Sequence, residues 1–169
     1  MRKTKVKAVE PVEAINLRGC LEWELRNAYT GEVLRKGKGK NTITYAGRSW
    51  ALRKIAQDSM ASGDIVSSLA LGTVSTGGAT ANTALAGYFT YASVAGALTT
   101  AATTSPYVQF TCSYASSDIS ATGYNSIWEM ALYNSTGSAG TAFSRYIVTG
   151  TCINATSSNE LYLTYTVSN

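Results

Sequence analysis

Two stretches, one near each end of the chain, alternate apolar and polar residues without a break. In Cys20–Asn27, Leu21, Trp23 and Leu25 fall on one side and Cys20, Glu22, Glu24 and Arg26 on the other. In Glu160–Ser168, Leu161, Leu163, Tyr165 and Val167 share one side. A period of two places successive side chains on opposite faces of a strand, so both stretches read as half-buried β-strands.

The sequence between them fits an all-β chain with one helix. Tyr29-Thr30-Gly31-Glu32 reads as a turn, and Val33–Lys40 as the returning strand of an opening hairpin over 20–40. Arg35-Lys36-Gly37-Lys38-Gly39-Lys40 reads as the basic, flexible end of that hairpin. Thr44 is placed to cap a helix over about 45–60, where Ala46, Trp50, Leu52, Ile55, Ala56 and Met60 make an imperfect apolar stripe. Ser62-Gly63-Asp64 ends it. Further strands are expected at Ile65–Leu71, Tyr88–Ala95, Tyr107–Ala115, Ser126–Asn134, Ala142–Thr149 and Glu160–Ser168, with long loops at Gly72–Gly87 and Gly96–Ser105. Together with the hairpin these make eight strands, the count of a β-sandwich of jelly-roll or related type, with the helix packed at an edge. Trp23, Trp50, Trp128, Leu163 and Tyr165 are expected in its core. Residues 1–16 are polar and basic and read as an N-terminal arm; 17–169 read as a single domain.

Charge divides unevenly. Residues 1–54 hold 13 of the 14 Lys and Arg against five acids, a balance of +8, and residues 55–169 hold Arg145 against five acids, a balance of −4. Such polarity can orient a subunit in an assembly or steer it to an acidic partner. The start of the chain has no apolar run like that of a signal peptide, and no stretch reaches membrane-spanning length, so no membrane association is expected.

Catalytic and metal chemistry find little to work with. The chain has no histidine, so a general base at neutral pH would have to be a carboxylate or a perturbed amine, and imidazole-dependent zinc sites are excluded. Cys20, Cys112 and Cys152 have no metal-like spacing; Cys112 and Cys152 lie in strand-like runs and read as buried free thiols. Gly37-x-Gly39 lacks the Gly-Lys-Ser/Thr ending of a phosphate loop. The basic segment has no interleaved aromatic residue for base stacking, so nucleic-acid binding is not expected. No serine sits in a Gly-x-Ser-x-Gly turn. Glu129 is the one acid in an otherwise apolar strand, read as solvent-facing or hydrogen-bonded, with no second carboxylate linked to it as a glycosidase would need. Asn134-Ser135-Thr136 and Asn154-Ala155-Thr156 match the glycosylation triplet but read as turns. No cofactor is called for, and no enzyme activity is expected. Eleven tyrosines, among them Tyr88, Tyr91 and Tyr124, suit both strands and interfaces, because tyrosine buries area yet keeps a polar tip.

Several segments come in a set order: Asn41-Thr42-Ile43-Thr44-Tyr45-Ala46-Gly47 precedes the helix; Ile65-Val66-Ser67-Ser68-Leu69-Ala70-Leu71-Gly72-Thr73 follows it; then come Asn82-Thr83-Ala84-Leu85, Ile127-Trp128-Glu129-Met130-Ala131-Leu132-Tyr133-Asn134 and the closing strand from Leu161 to Val167. Taken in this order they resemble a class of small β-rich virion proteins of tailed bacteriophages, which includes capsid decoration proteins and the attachment regions of some tail fibres. The likeness spans about residues 20–168 and departs from the usual pattern at Val74, where that class carries Gly. It implies a structural role in the virion as decoration, cement or fibre base, with other virion proteins as partners and assembly as a homo-oligomer. It implies a structural role for Glu129 as well. Such a chain is made in the host cytoplasm and ends in the particle. Arg35, Lys36, Lys38, Lys40, Tyr88, Tyr91 and Tyr124 are the expected assembly interface. The alternative is a carbohydrate- or receptor-binding sandwich whose tyrosine-rich loops form the contact surface.

Overall fold

The structure is a computed structural model that describes residues 16–55, 66–74, 84–85, 87–93, 96–99, 107–120, 126–134 and 140–168. The arm up to residue 15, the last turn expected of the helix (56–60) and Tyr124 lie outside the described residues.

The chain is mostly β. Its elements run β1 (Arg18–Asn27), β2 (Val33–Ile43), α1 (Tyr45–Ile55), β3 (Ser68–Gly72), β4 (Tyr88–Ser93), β5 (Gly96–Thr99), β6 (Tyr107–Tyr114), α2 (Ser116–Ser120), β7 (Ser126–Ile127), β8 (Glu129–Tyr133), β9 (Ala142–Ile147), β10 (Ile153–Asn154) and β11 (Asn159–Ser168). Nine strands form one large, nearly closed sheet in the order β4-β3-β8-β9-β2-β1-β11-β6-β5, and β10 pairs with β7 in a second ladder. Every pairing is antiparallel.

The two alternating end stretches lie side by side. β1 pairs with β11 from Arg18↔Ser168 to Asn27↔Asn159, which sets Leu21 against Tyr165, Trp23 against Leu163 and Leu25 against Leu161. These six side chains point inward. They pack with Phe110 and Tyr114 of β6, and across the core with Leu69 and Leu71 of β3, Met130 and Leu132 of β8 and Tyr146 of β9. Burying a large apolar side chain of this kind contributes roughly 1.5–3 kcal/mol. Trp23, Leu163 and Tyr165 are buried as the alternation predicts, and Trp50 as the apolar stripe of the helix predicts. A smaller cluster on the other face of β3 and β8 gathers Ala70, Ala131, Tyr133, Ala142 and Leu85.

Thr44 caps α1 as expected. Its Oγ1 accepts from the Gly47 N–H at 3.1 Å and donates to the Ala142 carbonyl at 2.6 Å, so one hydroxyl starts the helix and ties it to β9. Trp50 then stacks on Phe143 with ring centroids 5.7 Å apart.

Four expectations are corrected. Arg35–Lys40 is not a hairpin end but the middle of β2, paired residue for residue with β1. Its glycines alternate with lysines because a Cβ at Gly37 would stand 2.6 Å from the Trp23 indole, and one at Gly39 would stand 2.6 Å from the Tyr146 ring. Ser126–Asn134 is two strands rather than one: β7 pairs with β10 while β8 pairs with β3 and β9. Trp128 sits at the switch, its N–H donating to the Gly72 carbonyl and its own carbonyl accepting from Val148, each at 2.9 Å. It is therefore half-buried rather than a core residue. β5 occupies the start of the expected loop 96–105 and the short β10 was not expected, so with the split of 126–134 the eight expected strands become eleven among the described residues. All three cysteines are free as read, with Cys152 buried and Cys112 only half-buried.

Candidate interaction surface

The sides of β2, β1, β11 and β6 that face away from the core form one surface. The registers order it in rows. Lys36 stands opposite Glu24, which stands opposite Tyr162, and that opposite Ser113. The next row is Lys38, Glu22, Thr164 and Thr111, and the next Lys40, Cys20, Thr166 and Gln109. Opposite charges facing each other across a strand pair stabilise the sheet by a few tenths of a kcal/mol up to about 1 kcal/mol. Lys38 forms an ion pair with Glu22, and Arg26 with Glu24. The hydrogen bond to Glu22, and then its charge, raise the Lys38 pKa; the Glu24 carboxylate does the same for Arg26. Arg26 also lies over the Tyr162 ring, 4.6 Å from its centroid, and the Tyr162 hydroxyl donates to Glu160 at 2.8 Å, which raises the pKa of that phenol. A shallow groove of about 770 Å³ runs along this face between Arg18, Lys38, Lys40 and Thr166.

Three of the expected interface residues, Lys36, Lys38 and Lys40, therefore stand together, but as part of a ladder of both signs. Arg35 does not join them. It points to the other face of β2, its guanidinium 5.5 Å from the centre of the Trp23 ring, and donates to the Cys152 carbonyl at 2.7 Å and the Thr151 carbonyl at 3.0 Å. Tyr88 and Tyr91 are in β4, an edge strand with β3, β8 and β9 between it and β2. Tyr91 is exposed, whereas Tyr88 is half-buried against Tyr133 at 6.4 Å, and burial raises its phenol pKa. Of the six expected residues that are described, Lys36, Lys38 and Lys40 lie together, and Arg35, Tyr88 and Tyr91 lie elsewhere. The threonines and Gln109 of β11 and β6 are part of the polar face that sequence reasoning missed; the signal was the polar half of the same alternation that revealed the core.

The segments that carry the virion-protein resemblance converge inside the molecule. Ile43 is buried beside the Thr44 cap, and Asn41 donates to the Ser144 hydroxyl, which also accepts from Tyr165 and donates to the Thr42 carbonyl at 3.0 Å. At Gly47 a Cβ would meet the Phe143 carbonyl at 2.2 Å, so only glycine lets α1 approach β9 this closely. Ala70 pairs with Ala131, and Leu85 donates its N–H to the Tyr133 hydroxyl at 2.7 Å. Glu129, read as solvent-facing or hydrogen-bonded, is fully buried and bonded to Arg145. Among the described residues no group of three His, Cys, Asp or Glu side chains stands close enough to hold a metal. No helix among them is long and apolar enough to cross a membrane.

The chain matches no family model, no curated protein and no solved structure.

Proposed function

We propose that this chain is a structural protein of a tailed-bacteriophage virion, attached to the capsid or tail as a decoration, cement or fibre-base subunit. The observation that supports this most is where the resembling segments lie. Their residues serve the architecture. Thr44 caps the helix, Gly47 admits it onto β9, and Glu129 pairs with Arg145 of the neighbouring strand. None of these presents a reactive group to an open cleft. What they support is a rigid β-framework, in our reading a sandwich of jelly-roll type, with the β2-β1-β11-β6 face turned outward. A framework of this kind acts by presenting surface to neighbouring subunits, and the function is architectural rather than catalytic. Alternating charges on such a face give register and partner choice more than affinity. Its partners are other virion proteins and further copies of itself. Cryo-electron microscopy of particles from a lysate carrying this chain tests the reading. Density for the nine-stranded sheet at symmetry-related sites on the head or tail is the expected result, and particles with no such density refute it.

A further inference from the structure

β2 changes strand partner near its C-terminal end. β1 pairs with it from Val33 to Asn41, whereas β9 reaches it only at Thr42 and Ile43. Among the described residues, no backbone hydrogen bond joins Leu34–Lys40 to any strand but β1. In an antiparallel pair, about half the N–H and C=O groups of such a stretch point away from the existing partner. Among the described residues they form an open edge, and its start is apolar as well as exposed, with Val33 at 43% and Leu34 at 48%.

A second observation falls at the same place. The Trp23 indole reaches from β1 over Gly37, and its Nε1–H has no hydrogen-bond partner although the side chain is only 4% exposed. A buried donor without an acceptor costs about 1–3 kcal/mol, so a ligand that supplies the acceptor gains from it.

We propose that the open edge of β2, Leu34–Lys40, is a docking site for an extended segment of another protein chain in which acidic residues alternate with small, hydrogen-bond-accepting ones. β1 already shows half of this complement. It sets Glu24 and Glu22 opposite Lys36 and Lys38 and leaves the glycine side of β2 to ring atoms. A strand added to the other side meets the same three lysines on the outer face, so acids at every second position fit. On the inner face it meets Gly37 and Gly39, already covered by Trp23 and Tyr146, and the Arg35 side chain, already bonded to the Thr151 and Cys152 carbonyls. Only small side chains fit there, and an oxygen on one of them completes the Trp23 N–H. A second copy of β2 does not fit, because antiparallel self-pairing would set lysine against lysine. The inference gives a partner chemistry to the assembly role proposed above. It rests on that reading for its setting only, since peptide binding by the isolated chain is measured apart from incorporation into particles.

The test uses three capped synthetic peptides: one alternating Glu and Thr, one of the same composition with the acids grouped together, and one alternating Lys and Thr. The alternating acidic peptide is expected to bind, to protect amides of Leu34–Lys40 from hydrogen exchange, and to bind less tightly as salt rises. Trp23→Phe, which removes the indole N–H, is expected to weaken it about tenfold, the equivalent of one hydrogen bond. Replacing Lys36, Lys38 and Lys40 with Gln is expected to remove the salt dependence. The proposal is overturned if the three peptides bind alike, if none binds by millimolar concentration, or if protection falls elsewhere than on the β2 edge. It is also overturned if the triple variant self-associates while the original chain takes up no peptide, for then the lysines only keep the edge apart. Should either variant fail to fold, the comparison of the three peptides on the original chain decides alone.

Discussion

Arg145 Nη2 lies 2.7 Å from Glu129 Oε2, and both side chains are sealed from solvent. A buried pair of this kind stands only while both partners are present, because removing one strands a charge in a low-dielectric site. Glu129→Gln and Arg145→Met are each expected to cost about 3–5 kcal/mol in urea unfolding, while the double replacement Glu129→Leu with Arg145→Met recovers most of the loss. A single-variant cost below about 1 kcal/mol would show that the pair is not part of the framework.

Glycine at 47 and at 37 is held by different neighbours, so the two should respond differently to the same change. Gly47→Ala drives a methyl into the Phe143 carbonyl, which is backbone and cannot swing away. Gly37→Ala presses on the Trp23 ring, which a smaller side chain would relieve. Overpacking of this sort costs typically about 1–3 kcal/mol. Trp23→Leu is expected to reduce the penalty of Gly37→Ala in a double-mutant cycle and to leave that of Gly47→Ala unchanged. Equal coupling to both would contradict the packing described.

The core loses stability in alkali. Burial pushes the Cys112 thiol up from 9.0 to about 12, despite an opposing hydrogen bond with Tyr114, and desolvation also raises the phenols of Tyr114 and Tyr165. These groups ionise first in the unfolded chain, which binds fewer protons than the native state once pH passes the ordinary values. Stability contributed by the thiol is therefore intact below pH 9.0 and declines as pH rises toward about 12. Denaturant midpoints followed over that range should fall, and fall less steeply in Cys112→Ala. A native Cys112 that reacts with a thiol reagent as fast as an unfolded control at pH 9.0 would contradict it.

The basic residues of β2 separate by face. Lys36, Lys38 and Lys40 are exposed, and changing all three to Gln should alter thermal stability of the isolated chain by less than about 0.5 kcal/mol while slowing incorporation into particles. Arg35 bridges to the Thr151 and Cys152 carbonyls, so Arg35→Gln should cost more, about 1–2 kcal/mol. The reverse order of stability losses would refute the assignment of faces.

The parts of the fold legible in the sequence were those where one residue type settles the local physics. Leu21, Trp23 and Leu25 announce β1 and Leu161, Leu163 and Tyr165 announce β11, and Thr44 announces the helix start. β2 was harder. Its lysines keep a strict period of two, but glycine occupies the positions where a strand ordinarily shows apolar side chains, because Trp23 and Tyr146 already fill that space from neighbouring strands. β5 is made of Gly96-Ala97-Leu98-Thr99, too short and small to stand out from a loop. The Glu129–Arg145 pair had a signal that went unused: Arg145, in the strand expected over Ala142–Thr149, is the one cation after residue 54, and Glu129 is the one acid in an otherwise apolar strand. The interface was the least legible, since exposure of Lys38 or Tyr91 says where contact is possible and nothing in one sequence says with what.

Quantitative mass spectrometry of density-purified particles tests the central claim most directly. If the chain is a virion component, it stays with intact particles through high-salt washing, at a fixed whole-number ratio to the main capsid or tail subunit. If it remains with the soluble fraction, or follows particles only in trace amounts with no constant ratio, the structural role proposed for it is wrong.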